Sequence, residues 1–377
     1  MQLSGKQVLI LGLGESGLAI AKWCARMGAK LRVADTRAAP PGLETLHAAA
    51  SDAEFRGGAF AEALLDGVDM VALSPGLSIS LPIVAAARAR GLAVVGEIEL
   101  FAQGLRQLEW RDRSRVVAIT GTNGKTTTTS LTGHLCRSAG IDAAVAGNIS
   151  PAALDALMAG VDANRPPPLW VLELSSFQLE TTASLAAEAA TVLNISEDHL
   201  DRHRDIDDYA GAKARVFTGK GIQVLNRDDA RVMAMAIQGR RQITFGLDAP
   251  RTQDDFGLRE QRGAPFLYQG DVPLLAVAEL PIAGLHNAAN AMAALALCAA
   301  TGLQPLDLLP ALRSFRGLSH RLEMIASANG IDWYDDSKGT NVGATVAALE
   351  GMGRPVVLIL GGDGKGQDFS PLRHAVR

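Results

Sequence analysis

The chain has 377 residues, of which 48% are hydrophobic and 20% are charged, and its formal net charge is −4. This composition is typical of a globular protein with enough chain for two or three domains, and the negative balance without a long Lys/Arg cluster argues against a nucleic-acid partner. The start of the chain is too polar for a signal peptide and no apolar run reaches membrane-spanning length, so we expect no membrane insertion.

Cysteine usage indicates the redox compartment. The chain has three cysteines, an odd number, and they lie far apart in apolar stretches with helical character: Cys24, Cys136 and Cys298. Reduced core thiols explain this arrangement better than a disulfide framework, because disulfide frameworks are typical of small secreted domains. We therefore expect a cytoplasmic protein.

Apolar, β-branched strands alternate with Ala-rich helical stretches almost throughout, which predicts an α/β fold. In the first segment the pattern predicts strands at Gln7–Leu11, Leu31–Ala34 and Met70–Leu73 and a helix at Leu18–Met27. The polar, charge-dense stretch Gln103–Arg115 is the best candidate for a linker.

A glycine-rich turn follows the first predicted strand. Gly12, Gly14 and Gly17 have the spacing of a dinucleotide-binding loop, and Asp35 closes the second strand about twenty residues further on. A glycine turn at a helix N-terminus accepts any diphosphate, so a phosphate-bearing substrate fits as well as NAD. The alternative is that these glycines only permit a tight turn.

A second glycine loop, Thr120-Gly121-Thr122-Asn123-Gly124-Lys125-Thr126-Thr127, connects an apolar strand to residues with helical spacing. Its backbone N–H groups and the helix N-terminus would point at phosphate oxygens. Lys125 would reach the β- and γ-phosphates, and Thr126 would offer its hydroxyl to Mg²⁺. The position six before Lys125 is Ile119 rather than glycine, so an ordinary strand-to-helix turn is the alternative.

Further elements follow the phosphate loop. The pattern predicts a Pro-rich surface loop, two strands, a small β-rich excursion and a helix at Arg165–Pro168, Leu169–Leu174, Thr191–Ile195, Gln242–Leu280 and Asn287–Ala300. A third unit would begin near Leu318, with strands at Ile331–Tyr334 and Val356–Leu360. Only about sixty residues remain from there, whereas a doubly wound domain usually needs roughly 100, so we expect this unit to be incomplete.

Glu173 closes the strand Leu169–Leu174 and precedes Ser175-Ser176-Phe177-Gln178. A carboxylate at the carboxyl end of a buried parallel strand is where a P-loop enzyme holds Mg²⁺. The alternative is an acid that caps the next helix.

Two histidines lie in the acidic segment Asn194–His203. His199 and His203 are four residues apart and could share one helix face and bind zinc, but one imidazole in a Mg²⁺ or Mn²⁺ shell suits the neighbouring phosphate loop better. Solvated charge on a loop is the alternative. Lys213 lies among small residues, and the residue pattern alone favours a solvated helical lysine.

Polar loops recur where predicted strands end, the ligand-binding edge of an open α/β sheet. Asp335–Asn341 and Gly361–Lys365 each follow a predicted strand, and His286-Asn287-x-x-Asn290 opens an Ala-rich helix, where simple N-capping is the alternative.

The ordered set of motifs resembles the Mur ligases, the ATP-dependent amino-acid-adding enzymes of peptidoglycan precursor synthesis. The resemblance spans essentially the whole chain and rests on the phosphate loop, Glu173–Gln178, Asn194–Asp201, Lys213, Leu285–Asn290, His320–Glu323 and Asp336–Asn341. The shortened phosphate loop is normal in this family. The N-terminal motifs Gly12–Gly17, Asp35-Thr36-Arg37 and Ser74-Pro75-Gly76 are most similar to the branch that adds D-glutamate.

The resemblance implies a Rossmann-like N-terminal domain at 1–108 that binds the UDP-substrate, a central P-loop α/β domain at 109–317 that binds ATP, and a partial Rossmann-like C-terminal domain at 318–377 that binds the amino acid. It implies that ATP activates UDP-N-acetylmuramoyl-L-alanine as an acyl phosphate, which D-glutamate then attacks. The enzyme would act as a monomer in the bacterial cytoplasm and serve cell-wall biogenesis, cell shape and cell division.

The resemblance also assigns site residues. The implied ATP contacts are Gly121, Thr122, Asn123, Gly124, Lys125, Thr126, Thr127, Thr128, Asn287, Asn290, Arg321 and Asp336. The implied UDP-substrate contacts are Gly14, Ser16, Asp35, Thr36, Arg37, Ser74, Gly76, Asn148 and His199. The implied D-glutamate contacts are Lys338, Thr340 and Lys365. Two Mg²⁺ ions, or Mn²⁺, would be held by Thr126, Glu173, His199 and Lys213, the lysine as a carbamate formed with CO₂. The implied catalytic residues are Lys125, Asn148, Glu173, His199 and Lys213.

Three alternatives remain open from the sequence. A sister ligase or a folylpolyglutamate synthase is the nearest, although Asp35-Thr36-Arg37 and the short N-terminal segment argue against it. A Rossmann oxidoreductase would use the first glycine loop for NAD(P)H and leave the phosphate loop, Glu173 and His199 unexplained. A non-catalytic nucleotide-binding module is the third.

Overall fold

The computed structural model describes residues 2–352, 354–364 and 367–376. The strands are β1 (Gln7–Leu11), β2 (Lys30–Asp35), β3 (Glu54–Gly57), β4 (Met70–Leu73), β5 (Ala93–Val95), β6 (Arg115–Thr120), β7 (Ala143–Gly147), β8 (Leu169–Glu173), β9 (Ala189–Val192), β10 (Ile222–Asn226), β11 (Gln242–Phe245), β12 (Phe256–Gln261), β13 (Ala264–Gln269), β14 (Val272–Ala276), β15 (Glu323–Ala328) and β16 (Ile331–Asp335).

The helices are α1 (Glu15–Arg26), α2 (Leu43–Ala49), α3 (Pro82–Ala89), α4 (Glu97–Gln107), α5 (Lys125–Ser138), α6 (Ala153–Asp162), α7 (Ser176–Glu180), α8 (Ile206–Ala214), α9 (Ala230–Met233), α10 (Leu285–Ala300), α11 (Leu309–Ser314), α12 (Val342–Met352) and α13 (Leu372–Ala375). Short 3₁₀ turns cover Glu62–Leu65, Arg215–Phe217, Val277–Glu279 and Pro305–Leu308. Within the described ranges, no helix combines the length and apolar character needed to cross a membrane.

The chain divides into two compact units, residues 1–116 with 144–187 and residues 117–143 with 188–377. The predicted domain boundaries at 108 and 317 stay predictions.

The first unit contains a five-stranded parallel sheet in the order β3-β2-β1-β4-β5. Val8, Leu9, Ile10 and Leu11 of β1 have no exposed surface. A run without alternation is expected for a central parallel strand that is covered on both faces. The strand order reverses direction between β1 and β4, and ligands of open α/β sheets bind at such a switch point.

The predicted linker Gln103–Arg115 is wrong in its first part, because α4 continues to Gln107. Ile98, Phe101 and Leu105 recur at helical spacing and are buried. Phe101 meets Trp170 edge to face, with ring centroids 5.1 Å apart. The buried apolar face therefore stabilises α4 through Gln107, although the residues on its exposed face are polar.

The second unit contains strands in the order β14-β13-β12-β11-β10-β9-β6. The run from β6 to β12 is parallel, and β12, β13 and β14 form antiparallel hairpins, which confirms the predicted β-rich excursion. The Ala-rich helix α10 is buried along most of its length and packs against α5.

The cysteines are buried, which confirms the prediction of core thiols. Cys136 on α5 and Cys298 on α10 have sulfur atoms 3.8 Å apart, too far for the roughly 2.05 Å of a disulfide bond. Burial raises the pKa of the Cys24 thiol to about 12.

Beyond Leu318 the structure contains the antiparallel hairpin β15–β16 and the helices α12 and α13. The strand predicted at Val356–Leu360 is wrong, because these residues form no strand with any other described part of the chain, and Val357 is 93% exposed. A strand needs a neighbour for its ladder of backbone hydrogen bonds, and apolar composition alone does not supply one.

Candidate functional site

The glycine turn after β1 is shaped by packing at two of its three glycines. Gly12 has a φ of +85°, and a Cβ at Gly17 would lie 1.9 Å from the Gly12 carbonyl oxygen. A Cβ at Gly14 would meet nothing within 4 Å. Gly14 is the N-cap of α1 and forms no side-chain cap hydrogen bond, so this helix N-terminus can accept an anionic group.

The buried carboxylate of Asp35 organises the same edge. It accepts hydrogen bonds from the backbone N–H of Leu13 at 2.8 Å and from Nε and Nη2 of Arg37 at 2.8 Å each. The Arg37 guanidinium holds the pKa of Asp35 well below its usual range. Asp35 therefore ties the glycine turn to Arg37, whose side chain is 52% exposed.

The predicted UDP-substrate residues of the first hundred positions all follow or end strands of this sheet. Gly14 and Ser16 come after β1, Asp35 ends β2 with Thr36 and Arg37 beyond it, and Ser74 and Gly76 come after β4. Because the strands are parallel, these residues share the carboxyl edge of the sheet at its switch point.

Asn148 and Glu173 contact each other in the first unit. The Asn148 backbone N–H donates to the Glu173 carbonyl at 2.8 Å, and its Nδ2 donates to Glu173 Oε1 at 2.8 Å. Glu173 is 2% exposed, and its Oε2 has no hydrogen-bond partner among the described residues. Ser175 and Gln178 cap α7, so the interpretation of Glu173 as a helix cap is wrong. A buried carboxylate oxygen without a donor suits a hard cation.

The phosphate loop lies in the second unit between β6 and α5. Gly121 has a φ of +152° and Gly124 a φ of +81°, and a Cβ at Gly124 would lie 2.4 Å from Asn290 Oδ1. Asn194 fixes the loop, since its carbonyl accepts from Thr122 N at 2.9 Å and its Oδ1 accepts from Asn123 N at 2.8 Å. Left-handed glycines and a close neighbour explain the residue types at these positions.

Lys125 begins α5 and bends over its own loop. Its Nζ donates to the carbonyl oxygens of Gly121 at 3.0 Å and Thr122 at 2.8 Å. Next to it, Thr126 Oγ1 accepts from Nη2 of Arg321 at 2.9 Å. One cationic side chain therefore contacts the loop and another contacts the residue that follows Lys125.

Predicted nucleotide residues line one cavity of about 420 Å³ in the second unit. They are Asn123, Gly124, Thr127, Asn287, Asn290, Arg321 and Asp336. Asn290 Oδ1 accepts from Thr128 Oγ1 at 3.3 Å, and its Nδ2 donates to Asn287 Oδ1 at 3.1 Å. Burial raises the pKa of Asp336.

The sequence prediction missed residues of this cavity. Asn226, Asp228 and Asp229 follow β10, and Asp229 Oδ2 accepts from Ile195 N at 2.7 Å. These residues form another polar loop at a strand end, so the rule applied elsewhere in the chain would have found them. Asn341 ends the predicted polar loop Asp335–Asn341 but was given no ligand: its Nδ2 donates to Asn123 Oδ1 at 2.9 Å, and Asn123 Nδ2 donates back to Asn341 Oδ1 at 3.3 Å.

His199 and His203 do not share a helix face, because α8 begins only at Ile206. The zinc interpretation therefore loses the shared helix face on which it was based. His199 is 43% exposed and lies 3.7 Å from Asp198 Oδ2, whereas His203 is buried against Tyr209. Burial lowers the pKa of both imidazoles.

Lys213 is only 1% exposed, so the interpretation as a solvated lysine is wrong. Its Nζ donates to the Gly121 carbonyl at 2.9 Å and to Thr120 Oγ1 at 3.4 Å. The same atom lies 4.5 Å from the centre of the Tyr209 ring. Lys213 therefore contacts the start of the phosphate loop.

The predicted amino-acid contacts follow β16. Lys338 and Thr340 are exposed, and Lys338 lines the cavity. Lys365 lies outside the described residues.

These features define an α/β protein with a phosphate loop between a parallel strand and a helix. The family model of the Mur ligase middle domain matches residues 119–298, and that of the MurD-like N-terminal domain of Mur ligases matches residues 6–96. The chain belongs to the Mur ligase family.

Curated relatives are similar over nearly the whole chain. A UDP-N-acetylmuramoylalanine–D-glutamate ligase of Aromatoleum aromaticum is 60% identical over 377 residues, which cover 99% of this chain and 81% of that protein. The enzyme of the same name from Nitrosomonas europaea is 54% identical over 380 residues, covering 100% of this chain and 80% of that protein.

Solved structures share the fold. The UDP-N-acetylmuramate:L-alanyl-γ-D-glutamyl-meso-diaminopimelate ligase of Neisseria meningitides aligns with a TM-score of 0.57 at 18% identity, over 84% of this chain and 100% of that one. The UDP-N-acetylmuramate-alanine ligase MurC of Thermotoga maritima aligns with a TM-score of 0.56 at 20% identity, over 92% of this chain and 77% of that one.

Proposed function

We propose that the chain is an ATP-dependent amide ligase that joins D-glutamate to UDP-N-acetylmuramoyl-L-alanine in peptidoglycan precursor synthesis. The observation that carries this proposal is the 60% identity, over 99% of the chain, to a relative named for that reaction. The match of the N-terminal residues 6–96 to the MurD-like domain supports the same branch of the family.

The chemistry has two steps. The alanine carboxylate is a poor acyl donor, so its oxygen first takes the γ-phosphoryl group of ATP, giving an acyl phosphate and ADP. The amine of D-glutamate then attacks the acyl carbon, the C–N bond forms, the C–O bond to phosphate breaks, and the amine loses a proton. Because two anions approach each other in the first step, fixed positive charge is the main catalytic requirement.

The phosphate loop supplies part of that charge. Lys125 is assigned to the transferring phosphoryl group, and the backbone N–H groups of the first turn of α5, which begins at Lys125, are assigned to the other phosphates. Asn287, Asn290, Arg321 and Asp336 line the nucleotide side of the cavity.

Mg²⁺ supplies further positive charge next to the phosphoryl oxygens when it is bound. We propose Thr126 and Glu173 as ligands of one ion, and His199 and a carbamylated Lys213 as ligands of the second, with Mn²⁺ as a substitute. The Glu173 Oε2 atom without a donor in the described structure supports the first assignment.

The carbamate of Lys213 reverses the charge of this side chain. An ammonium repels a cation, whereas the carbamate formed from the amine and CO₂ presents anionic oxygens of the kind that Mg²⁺ prefers. The burial of Lys213 beneath the phosphate loop supports a role other than solubility, because lysine is almost never fully buried without a specific partner.

The uridine diphosphate, the reacting carboxyl group and D-glutamate are each assigned to a separate set of residues. The carboxyl edge of the first sheet, with Gly14, Ser16, Asp35, Thr36, Arg37, Ser74 and Gly76, takes the uridine diphosphate. Asn148 and His199 contact the substrate near the reacting carboxyl, and Lys338, Thr340 and Lys365 take the carboxylates of D-glutamate. We further propose that the enzyme is monomeric and works in the bacterial cytoplasm, where ATP and nucleotide-linked precursors are available.

A coupled ADP-release assay tests the proposal. It presents UDP-N-acetylmuramoyl-L-alanine and ATP with D-glutamate, L-glutamate, L-alanine, diaminopimelate or D-alanyl-D-alanine, and the Lys125→Ala variant serves as the control for contaminating ATPase. We expect ADP release with D-glutamate alone. Release with another acceptor would assign the chain to a sister ligase, and fluorescence quenching by NADH without any ADP release would favour an oxidoreductase.

A further inference from the structure

A buried carboxylate that the proposed function does not use lies at the start of α4. Glu97 is the first residue of this helix and is 1% exposed. It accepts hydrogen bonds from the Ser16 hydroxyl and from the backbone N–H of Ala153. Its Oε1 also accepts from Leu154 N at 3.2 Å, and its Oε2 accepts from Gln178 Nε2 at 3.5 Å.

These donors belong to the first turns of three other helices. Ser16 lies in the first turn of α1, Ala153 and Leu154 begin α6, and Gln178 lies in α7. Helix N-termini present unpaired N–H groups and partial positive charge, and both favour a nearby anion. One carboxylate therefore fixes the relative position of several helix starts.

Helix α6 depends on this carboxylate because it has no cap of its own. Its N-cap is Ala152, which has no side-chain acceptor. Ser, Thr, Asp or Asn would normally supply that acceptor. Glu97, 57 residues earlier in the sequence than Leu154, supplies it here.

The segment immediately before α6 carries Asn148. Gly147 N donates to Pro151 O at 3.0 Å, which closes the loop, and Asn148 N donates to Glu173 O at 2.8 Å. Ala152 is thus both the last residue of this loop and the start of the helix that Glu97 caps. A substitution at Glu97 would therefore alter the position of Ser16 and of the loop that carries Asn148.

We propose that Glu97 is a positioning residue for the UDP-substrate: its carboxylate holds the Ser16 hydroxyl and the start of α6 in register, so that Ser16 and Asn148 contact the same bound molecule. This inference rests on the proposed function, in which Ser16 and Asn148 are UDP-substrate contacts. Glu97 itself touches no substrate and acts through its neighbours.

Glu99 provides a matched control on the same helix. It is also buried, at 6% exposed, and its carboxylate also accepts several hydrogen bonds, from Ala183 N, Ser184 N and Ser184 Oγ at 2.6–2.8 Å. None of these donors is a proposed substrate contact. Replacing each glutamate by glutamine exchanges one carboxyl oxygen for an amide nitrogen on the same helix.

The experiment measures Kd by calorimetry for UDP-N-acetylmuramoyl-L-alanine, UDP and ATP. The variants are Glu97→Gln, Glu99→Gln, Ser16→Ala and the double variant Glu97→Gln/Ser16→Ala. We expect Glu97→Gln to weaken UDP-substrate binding roughly tenfold and ATP binding less than about twofold, whereas Glu99→Gln leaves both within about twofold. The loss of affinity in the double variant should be smaller than the two single losses combined, because both changes disrupt the contact between Ser16 and Glu97.

The proposal is overturned if Glu97→Gln and Glu99→Gln weaken UDP-substrate binding equally, or if the effects of Glu97→Gln and Ser16→Ala add. If Glu97→Gln does not fold, Glu97→Asp keeps the carboxyl group but shortens its reach and serves in the same comparison. Failure of the proposed function gives a different result: Ser16→Ala then leaves the Kd of the UDP-substrate unchanged, and no acceptor elicits ADP release.

Discussion

Arg321 Nη2 donates a hydrogen bond to Thr126 Oγ1 at 2.9 Å, across 195 positions of sequence. The hydroxyl that we propose as a Mg²⁺ ligand is thus held by a guanidinium that also lines the nucleotide cavity. We expect Arg321→Ala to weaken binding of Mg–ATP about tenfold, because a cation that faces the phosphates is lost. Calorimetry with Mg–ATP measures this.

The control for this prediction is Arg313→Ala, which removes a surface ion pair with Glu279 in which both side chains are more than 40% exposed. Such pairs contribute little, so its ATP affinity should match the unchanged protein. Equal ATP affinities for the Arg321 and Arg313 variants would remove Arg321 from the nucleotide site.

Lys125→Ala should lower kcat by about 10²–10³ and leave binding of the UDP-substrate nearly unchanged. The proposed uridine contacts at positions 14–76 belong to the other compact unit, so they keep their own hydrogen bonds. Single-turnover ADP formation measures the first effect and calorimetry the second. A variant that lost UDP-substrate affinity as severely as ATP affinity would contradict separate sites.

Arg37→Ala and Asp35→Ala should each raise the KM for the UDP-substrate about tenfold with little change in kcat. Arg37 grips a remote part of the substrate in this proposal, and Asp35 orients Arg37 through two side-chain hydrogen bonds. Steady-state kinetics at varied UDP-substrate concentration measures KM and kcat separately. An unchanged KM in both variants would exclude this sheet edge as the uridine site.

The Asp35–Arg37 pair also predicts a pH dependence of folding stability. The pKa of Asp35 is lowered in the folded protein, so its contribution is fully present above the unfolded-state pKa of about 3.9 and is lost as the pH falls below it. The difference in unfolding free energy between the unchanged protein and Asp35→Asn should be constant from about pH 5 to 8 and shrink below about pH 4. Urea titrations across this range measure it, and a difference that grows on acidification would refute the assignment.

Lys213→Ala should lose about a hundredfold in activity and be partly rescued by acetate, which can enter the vacated space and restore an oxygen ligand. Lys213→Arg should not recover, because a guanidinium keeps the positive charge and forms no stable carbamate. Removing CO₂ should lower the activity of the unchanged enzyme. Full activity of Lys213→Ala without acetate would exclude the carbamate.

Some strand ends were predictable from the sequence because they depend on local pattern, whereas β9 ends at Val192 and not at the predicted Ile195. The strand Gln7–Leu11 and the position of Glu173 at the end of β8 are confirmed, since apolar runs followed by glycine or a polar residue mark where a buried parallel strand reaches the sheet edge. The phosphate loop between β6 and α5 was predictable for the same reason.

Contacts between distant segments were not predictable in this way. The sequence around Glu97 gives no indication that α6 lacks a cap, and the burial of Lys213 depends on the Gly121 carbonyl 92 residues earlier. The opposite error occurred at Val356–Leu360. Its local pattern is typical of a strand, but no strand forms there because no neighbouring strand in the described part of the chain pairs with it. In these cases the outcome depends on which distant segments pack together, and a single sequence does not show which segments those are.

The reciprocal amide hydrogen bonds between Asn123 and Asn341 span 218 residues. At a translation rate of roughly 5–20 residues per second, Asn341 is synthesised on the order of 10–40 s after Asn123 of the phosphate loop. During that interval Asn194, 71 residues after Asn123, is the earlier partner to arrive. A nascent chain therefore gains the full nucleotide cavity, and with it any stabilisation by cellular ATP, only after the segment around Asn341 has been made.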